Sequence, residues 1–141
     1  MINSLELFSG AGGLAKGLEL AGAAHCCYVE FNRDACKTLR SNYSADIIHE
    51  TDVREFDFNS IGDVDFIAGG PPCQPFSMGG KAKGMDDTRD MFPQAIRAIR
   101  TKTPKAFLFE NVKGLLRTSF ADYFEYILLQ LTYPEAEISS D

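Results

Sequence analysis

Short apolar runs alternate along the chain with stretches in which apolar residues recur every three or four positions. Ser4–Phe8 reads as a first strand that stops at a glycine cluster. Leu14–Ala21 reads as a helix with Leu14, Leu18 and Ala21 on one stripe, closed by Gly22. Cys26–Val29 is a second buried strand, Asp34–Leu39 a helix ending near Asn42, and Ile47 and Ile48 mark a brief third strand before Asp52. Val64–Ala68 predicts a fourth strand that opens into a Gly/Pro-rich loop running from Gly69 to about Asp87. Phe92, Ala95, Ile96 and Ile99 form one stripe of a further helix. Ala106–Phe109 is the fifth strand and Phe120–Leu131 the last amphipathic helix. Strand–helix alternation of this kind predicts an α/β fold, a mostly parallel sheet with helices on both faces. Glu135–Ile138 has the character of a strand that is only beginning, so the sheet is expected to be truncated at its C-terminal edge.

Composition narrows the class. The 141 residues make at most one domain, expected to be partial and to span 1–141, and 45% hydrophobic with 24% charged residues is ordinary for a soluble globular chain. No run of 18 apolar residues occurs, and MINSLELFSG lacks the charged and apolar regions of a signal peptide. Cys26, Cys27, Cys36 and Cys73 form no C-x-x-C pair, which speaks against a metal ribbon and for a reducing cytoplasm. His25 and His49 have no companions at ligand spacing and read as packing or surface residues rather than metal ligands. The net charge of −6 is unusual for a stand-alone nucleic-acid-binding domain, whose affinity comes largely from phosphate neutralisation.

Three places carry candidate chemistry. Phe8-Ser-Gly-Ala-Gly-Gly13 joins the first strand to the first helix, and its glycines permit a tight turn and close ligand approach at a helix N-terminus. Glu30 ends the second strand, 18 residues beyond Gly12, where a carboxylate can accept from ribose hydroxyls; the alternative is a solvated strand-end residue. Phe31 offers either an adenine-stacking face or plain core, and Asp52 either an acceptor for an adenine amino group or a turn cap. Gly69-Gly-Pro-Pro-Cys-Gln-Pro-Phe-Ser77 presents Cys73 in a stiff loop at the end of the fourth strand, where open α/β sheets bind ligands. Glu110, after Phe107, Leu108 and Phe109, lands on the same sheet edge. Apolar surroundings there would favour its protonated form and general-acid work, against the plainer roles of cap partner or buried ion pair.

In this order, Phe8–Gly13, Glu30, Asp52, Gly70-Pro-Pro-Cys-Gln-Pro-Phe-Ser77, Asp87-Thr-Arg89 and Glu110-Asn-Val112 resemble the N-terminal half of the cytosine-C5 DNA methyltransferases. The Pro-Cys-Gln loop followed 37 residues later by Glu-Asn-Val carries most of the resemblance. It implies a Rossmann-like class I methyltransferase fold and S-adenosylmethionine as cofactor. Phe8, Gly10, Ala11, Gly12 and Gly13 would then line the methionine part, Glu30 the ribose, and Phe31, Asp52 and Val53 the adenine. By the same resemblance Cys73 attacks C6 of a flipped cytosine while Glu110 holds a proton on N3. Pro72 and Gln74 shape the loop over the base, with Ser77 and Asn111 on the substrate side.

The family's Gln-x-Arg-x-Arg segment, target-recognition region and last motif are not in this sequence. The basic DNA-facing surface belongs largely to that region, so an acidic N-terminal half is no contradiction. The resemblance implies DNA as partner and a chain that works with a separate C-terminal methyltransferase chain, without membrane or metal. Three other readings stay open: a non-catalytic subunit, an RNA cytosine methyltransferase, and a nicotinamide-dependent dehydrogenase. The last gives Cys73 and Glu110 no shared purpose.

Overall fold

A computed structural model describes residues 1–72 and 90–136 of the chain. Five parallel strands form one sheet: β1 (Ile2–Leu7), β2 (Ala23–Glu30), β3 (Ile48–Glu50), β4 (Phe66–Gly69) and β5 (Ala106–Phe109), in the order β3-β2-β1-β4-β5. The helices are α1 (Gly13–Leu20), α2 (Arg33–Arg40), α3 (Phe92–Lys102) and α4 (Ala121–Thr132). Every strand and helix expected from the sequence up to α4 is present, with ends displaced by up to three residues. Of the further strand expected from Glu135, Glu135 itself lies in a turn and Ile138 falls outside the described residues.

Strand alternation sorts the core into layers. Leu5, Leu7, Cys27, Val29 and Ile67 point to one face, where Ala98 and Ile99 of α3 and the aromatic pair Phe56 and Phe58 cover them. Tyr28 and Ile48 point to the other, against Ala15 of α1 and Cys36 and Leu39 of α2. Phe92 of α3 packs with Leu115, Phe120, Tyr123 and Ile127 in a separate cluster that seats α4. The helices therefore lie on both faces, and β5 forms one edge of the sheet.

Two strand ends shape the carboxyl edge of the sheet. β1 stops at Leu7 rather than Phe8 because Phe8 turns out of the sheet with φ 52°, while its N–H still donates to Val29 O at 3.0 Å. At the end of β4, a Cβ on Gly69 would stand 2.3 Å from Leu7 O, so only glycine lets β4 pair with β1 there. Strand order reverses between β1 and β4, and the two chains leaving them diverge at this edge. That is the topological switch point of an open α/β sheet.

Candidate active site

The divergence opens a cleft of about 590 Å³ at the carboxyl edge. Phe8 and Gly10 reach it from β1, Val29, Glu30 and Phe31 from β2, and Thr51, Asp52, Val53 and Arg54 from the turn after β3. Gly70, Pro72 and Met91 come from the β4 side. Of the ten residues expected around a cofactor, Phe8, Gly10, Glu30, Phe31, Asp52, Val53 and Pro72 lie in this lining.

Ala11, Gly12 and Gly13 do not. Gly12 is buried as the N-cap of α1 at φ 91°, and a Cβ on it would stand 2.9 Å from Leu39 Cδ2. Its glycine serves the turn and the approach of α1 to α2. Phe8 is the less ordinary case, because a bulky residue at positive φ is strained by about 1–3 kcal/mol. The strain turns the chain at the end of β1, so that Phe8 and Gly10 line the cleft.

Glu30 is 9% exposed, and backbone N–H groups hold both its oxygens: Gly10 N donates to Oε2 and Asn32 N to Oε1, each at 2.7 Å. The glycine turn and the end of β2 are thereby tied together by one carboxylate, whose remaining lone pairs stay available to a ligand's hydroxyls. Next to it, Phe31 is 75% exposed, which removes the plain-core reading and leaves its ring on the cleft. Asp52 caps the 3-10 turn Val53–Glu55, accepting from Arg54 N at 2.9 Å. Arg54 also grips the carboxylate in a fork through Nε and Nη2, and these bonds hold Asp52 below the usual carboxylate range. The cap role and the cleft position are thus both realised in Asp52.

Across the switch point, Glu110 N donates to Gly69 O at 3.0 Å and Asn111 Nδ2 to Pro71 O at 3.0 Å. A Cβ on Gly70 would meet Glu110 Oε2 at 3.5 Å. The Glu-Asn pair thus clamps the chain immediately before Cys73. Cys73, Gln74 and Ser77 lie outside the described residues, as does Asp87-Thr-Arg89.

Two expectations on this side change. Glu110 is exposed rather than set among apolar groups, because it ends the edge strand, whose Phe107 and Leu108 are themselves 39% and 45% exposed. The amide of Asn111 is spent on backbone, its Oδ1 accepting from Val112 N at 2.8 Å while Nδ2 holds Pro71.

Among the described cysteines, Cys27 and Cys36 are buried and Cys26 partly so. Burial pushes all three thiols up, Cys27 to about 12, so they are packing groups. His25 is buried against Glu6 and Ser4, with its Nε2 on Ala15 O, and His49 packs on Phe56. The described residues contain no cluster of metal-ligating side chains, and no described helix is long and apolar enough to cross a membrane.

The cleft also takes in Val29, Thr51 and Arg54, which the sequence does not single out, and Gly70 and Met91, which it does not assign to the cofactor site. Gly70 belongs to the Gly-Pro-Pro-Cys motif, and Arg54 lies two residues from Asp52. Their neighbours are the only signal for them.

Residues 2–133 match the family model described as C-5 cytosine-specific DNA methylase. The Type II methyltransferase M.NgoMIV of Neisseria gonorrhoeae is 47% identical over 127 residues, covering 90% of this chain and 41% of that protein. The Type II methyltransferase M.AquIA of a Picosynechococcus strain is 38% identical, covering 92% of this chain and 56% of its own length. Among solved structures, a prophage-encoded protein from E. coli, described as a DNA modification methyltransferase, superposes with a TM-score of 0.75 at 28% identity. The match covers 94% of this chain and 38% of that one. A mutant of Spodoptera frugiperda DNMT2 superposes with a TM-score of 0.68 at 27% identity, covering 93% and 41%. The chain thus spans between about two fifths and just over half of these proteins.

Proposed function

The chain belongs to the C-5 cytosine-specific DNA methylases, and on that premise we propose that it supplies the cofactor cleft and the nucleophile loop for methylation of cytosine C5 in DNA. The observation that carries this reading is the convergence of Glu30, Phe31 and Asp52 on one cleft whose far wall is the root of the Cys73 loop. The donor set suits S-adenosylmethionine. Glu30 is a rigid acceptor for ribose hydroxyls, Phe31 an open aromatic face, and Asp52 an ionised acceptor for an exocyclic amine. When bound, S-adenosylmethionine supplies an electrophilic methyl group on a sulfonium sulfur.

The chain's own residues do the rest. The Cys73 thiolate adds to C6 of the flipped base, and Glu110 donates a proton to ring N3 as electron density moves through the ring. C5 would thereby become nucleophilic and take the methyl group from the sulfonium sulfur, which is left as a thioether. N3 would return its proton to Glu110, and loss of the C5 proton to water would expel the thiolate from C6, so that Cys73 and Glu110 end as they began. Asn111 is read as a positioning residue, since its amide fixes Pro71, two residues before the nucleophile. DNA binding and sequence choice are assigned to elements beyond those described, since the curated relatives are about twice as long as this chain.

Calorimetric titration of the purified chain with S-adenosylmethionine tests the reading. Stoichiometric binding that Glu30→Gln weakens is the expected result. Absence of binding, or binding indifferent to Glu30, would overturn the assignment of the cleft.

A further inference from the structure

Arg97 of α3 is not among the residues that line the cleft, yet all three of its guanidinium nitrogens donate hydrogen bonds. Nη2 donates to Val53 O at 2.6 Å, Nη1 to Phe56 O at 3.0 Å and Nε to Gln94 Oε1 at 2.8 Å. The guanidinium carbon sits 4.4 Å above the ring of Phe58. Val53 and Phe56 lie more than 40 residues earlier in the chain, so these bonds join two distant segments.

The segment held is the short turn after β3. Three of its residues, Asp52, Val53 and Arg54, line the cleft. Asp52 fixes the turn from its N–H side by accepting from Arg54 N. Arg97 fixes it from the carbonyl side, with a charged donor on two otherwise solvent-seeking acceptors. A three-residue 3-10 turn has little stability of its own, so its place is set by such anchors. The brace is also connected to the opposite wall: α3 begins directly after Met91, which lines the cleft from the β4 side. One helix therefore carries one wall and spaces the other.

We propose that Arg97 is a positioning residue for the cofactor, holding the Asp52–Arg54 turn at the separation from Met91 and Phe31 that an adenine-bearing ligand requires. The inference rests on the proposed cofactor cleft. The residue touches no ligand; it acts through the carbonyls of Val53 and Phe56, with Gln94 holding its Nε and Phe58 supporting its plane.

The test pairs calorimetry with hydrogen exchange on the purified chain, using S-adenosylhomocysteine as probe. Arg97→Lys keeps the charge but loses the fork that reaches two carbonyls at once. It is expected to weaken binding about tenfold. Amide exchange at Glu55 and Phe56 should speed up while the β1 and β2 amides stay protected. Gln94→Leu leaves both carbonyl bonds in place but frees Nε, and should shift affinity in the same direction by a smaller factor. That second variant decides the matter if Arg97→Lys fails to fold. Tight binding by the wild type that neither variant disturbs would overturn the role of Arg97. So would exchange that accelerates evenly through the sheet, which marks a general stability effect. No binding by the wild type would instead remove the cofactor reading, and this inference with it.

Discussion

On the β3 side of the sheet, polar groups facing the cleft are already held by the protein. Glu30 is bound by two backbone N–H groups, Asp52 by Arg54, and the turn carbonyls by Arg97. On the β5 side, Glu110 is exposed and its carboxylate accepts no hydrogen bond among the described residues. On the same side of the sheet Phe107, Leu108, Val112, Leu116 and Leu128 present apolar surface to solvent. The backbone there is nonetheless fixed, through Glu110 N on Gly69 O and Asn111 on Pro71. The two sides differ in what is preorganised. One side fixes side-chain atoms, as the proposed cofactor cleft requires; the other fixes only the chain that bears the proposed reacting groups.

If that division holds, the largest effect belongs to the β5 side and should leave the other untouched. Assayed together with the C-terminal part on which DNA binding depends, Cys73→Ala is expected to abolish transfer of a labelled methyl group to DNA. Glu110→Gln should lower it by about 10² to 10⁴, the usual contribution of a general acid. Both variants should bind S-adenosylmethionine as the wild type does. A parallel loss of cofactor affinity would mean that the two sides are one site energetically.

The seam between the sides is Gly69. A methyl group there meets Leu7 O at a distance that real contacts never show, so β1 and β4 must separate. Gly69→Ala is expected to lower stability by about 3 kcal/mol, read as a fall in the urea midpoint. An unchanged midpoint would mean that the seam yields and that the two sides are not rigidly joined.

Within the β3 side, Glu30→Gln removes the charge that two amides hold and that ribose hydroxyls would share. Bonds to a charged acceptor are worth about 1.5–3 kcal/mol, so cofactor affinity should fall by roughly tenfold to a hundredfold. A loss confined to stability, with affinity kept, would return Glu30 to a purely structural tie between Gly10 and Asn32.

Much of this frame was legible in the chain because period and punctuation agree. Apolar runs end at Gly10, Glu30, Asp52, Gly69 and Glu110, and four of those residues line the cleft or flank its wall. The misses have a common physical cause, which is that strand ends and exposure depend on distant partners. Phe8 leaves β1 because the chain must turn towards Gly10, and no local preference predicts a phenylalanine at positive φ. Glu110 was expected among apolar groups because Phe107 to Phe109 precede it; only the sheet order shows that these residues sit on an edge. Arg97 could not be found from the sequence, since its partners are carbonyls more than 40 residues away and carbonyls carry no residue identity.

The smallest effect asks whether charge or backbone sets the geometry beside Phe31. Arg54 holds the Asp52 carboxyl below its ordinary value of 3.8. A depressed folded pKa contributes stability that is present above the unfolded value and is lost as pH falls through the folded one. Arg54→Ala returns the folded pKa of Asp52 towards 3.8, so the acid limb of cofactor binding should begin at higher pH. Arg54 is half exposed, where solvent screens such a pair, so the displacement should be small. At neutral pH the affinity should barely change, because Asp52 stays ionised and the turn keeps its Arg97 anchors. A large loss at neutral pH would instead place the Arg54 side chain against the ligand itself, and the β3 side would then depend on charge as much as on backbone.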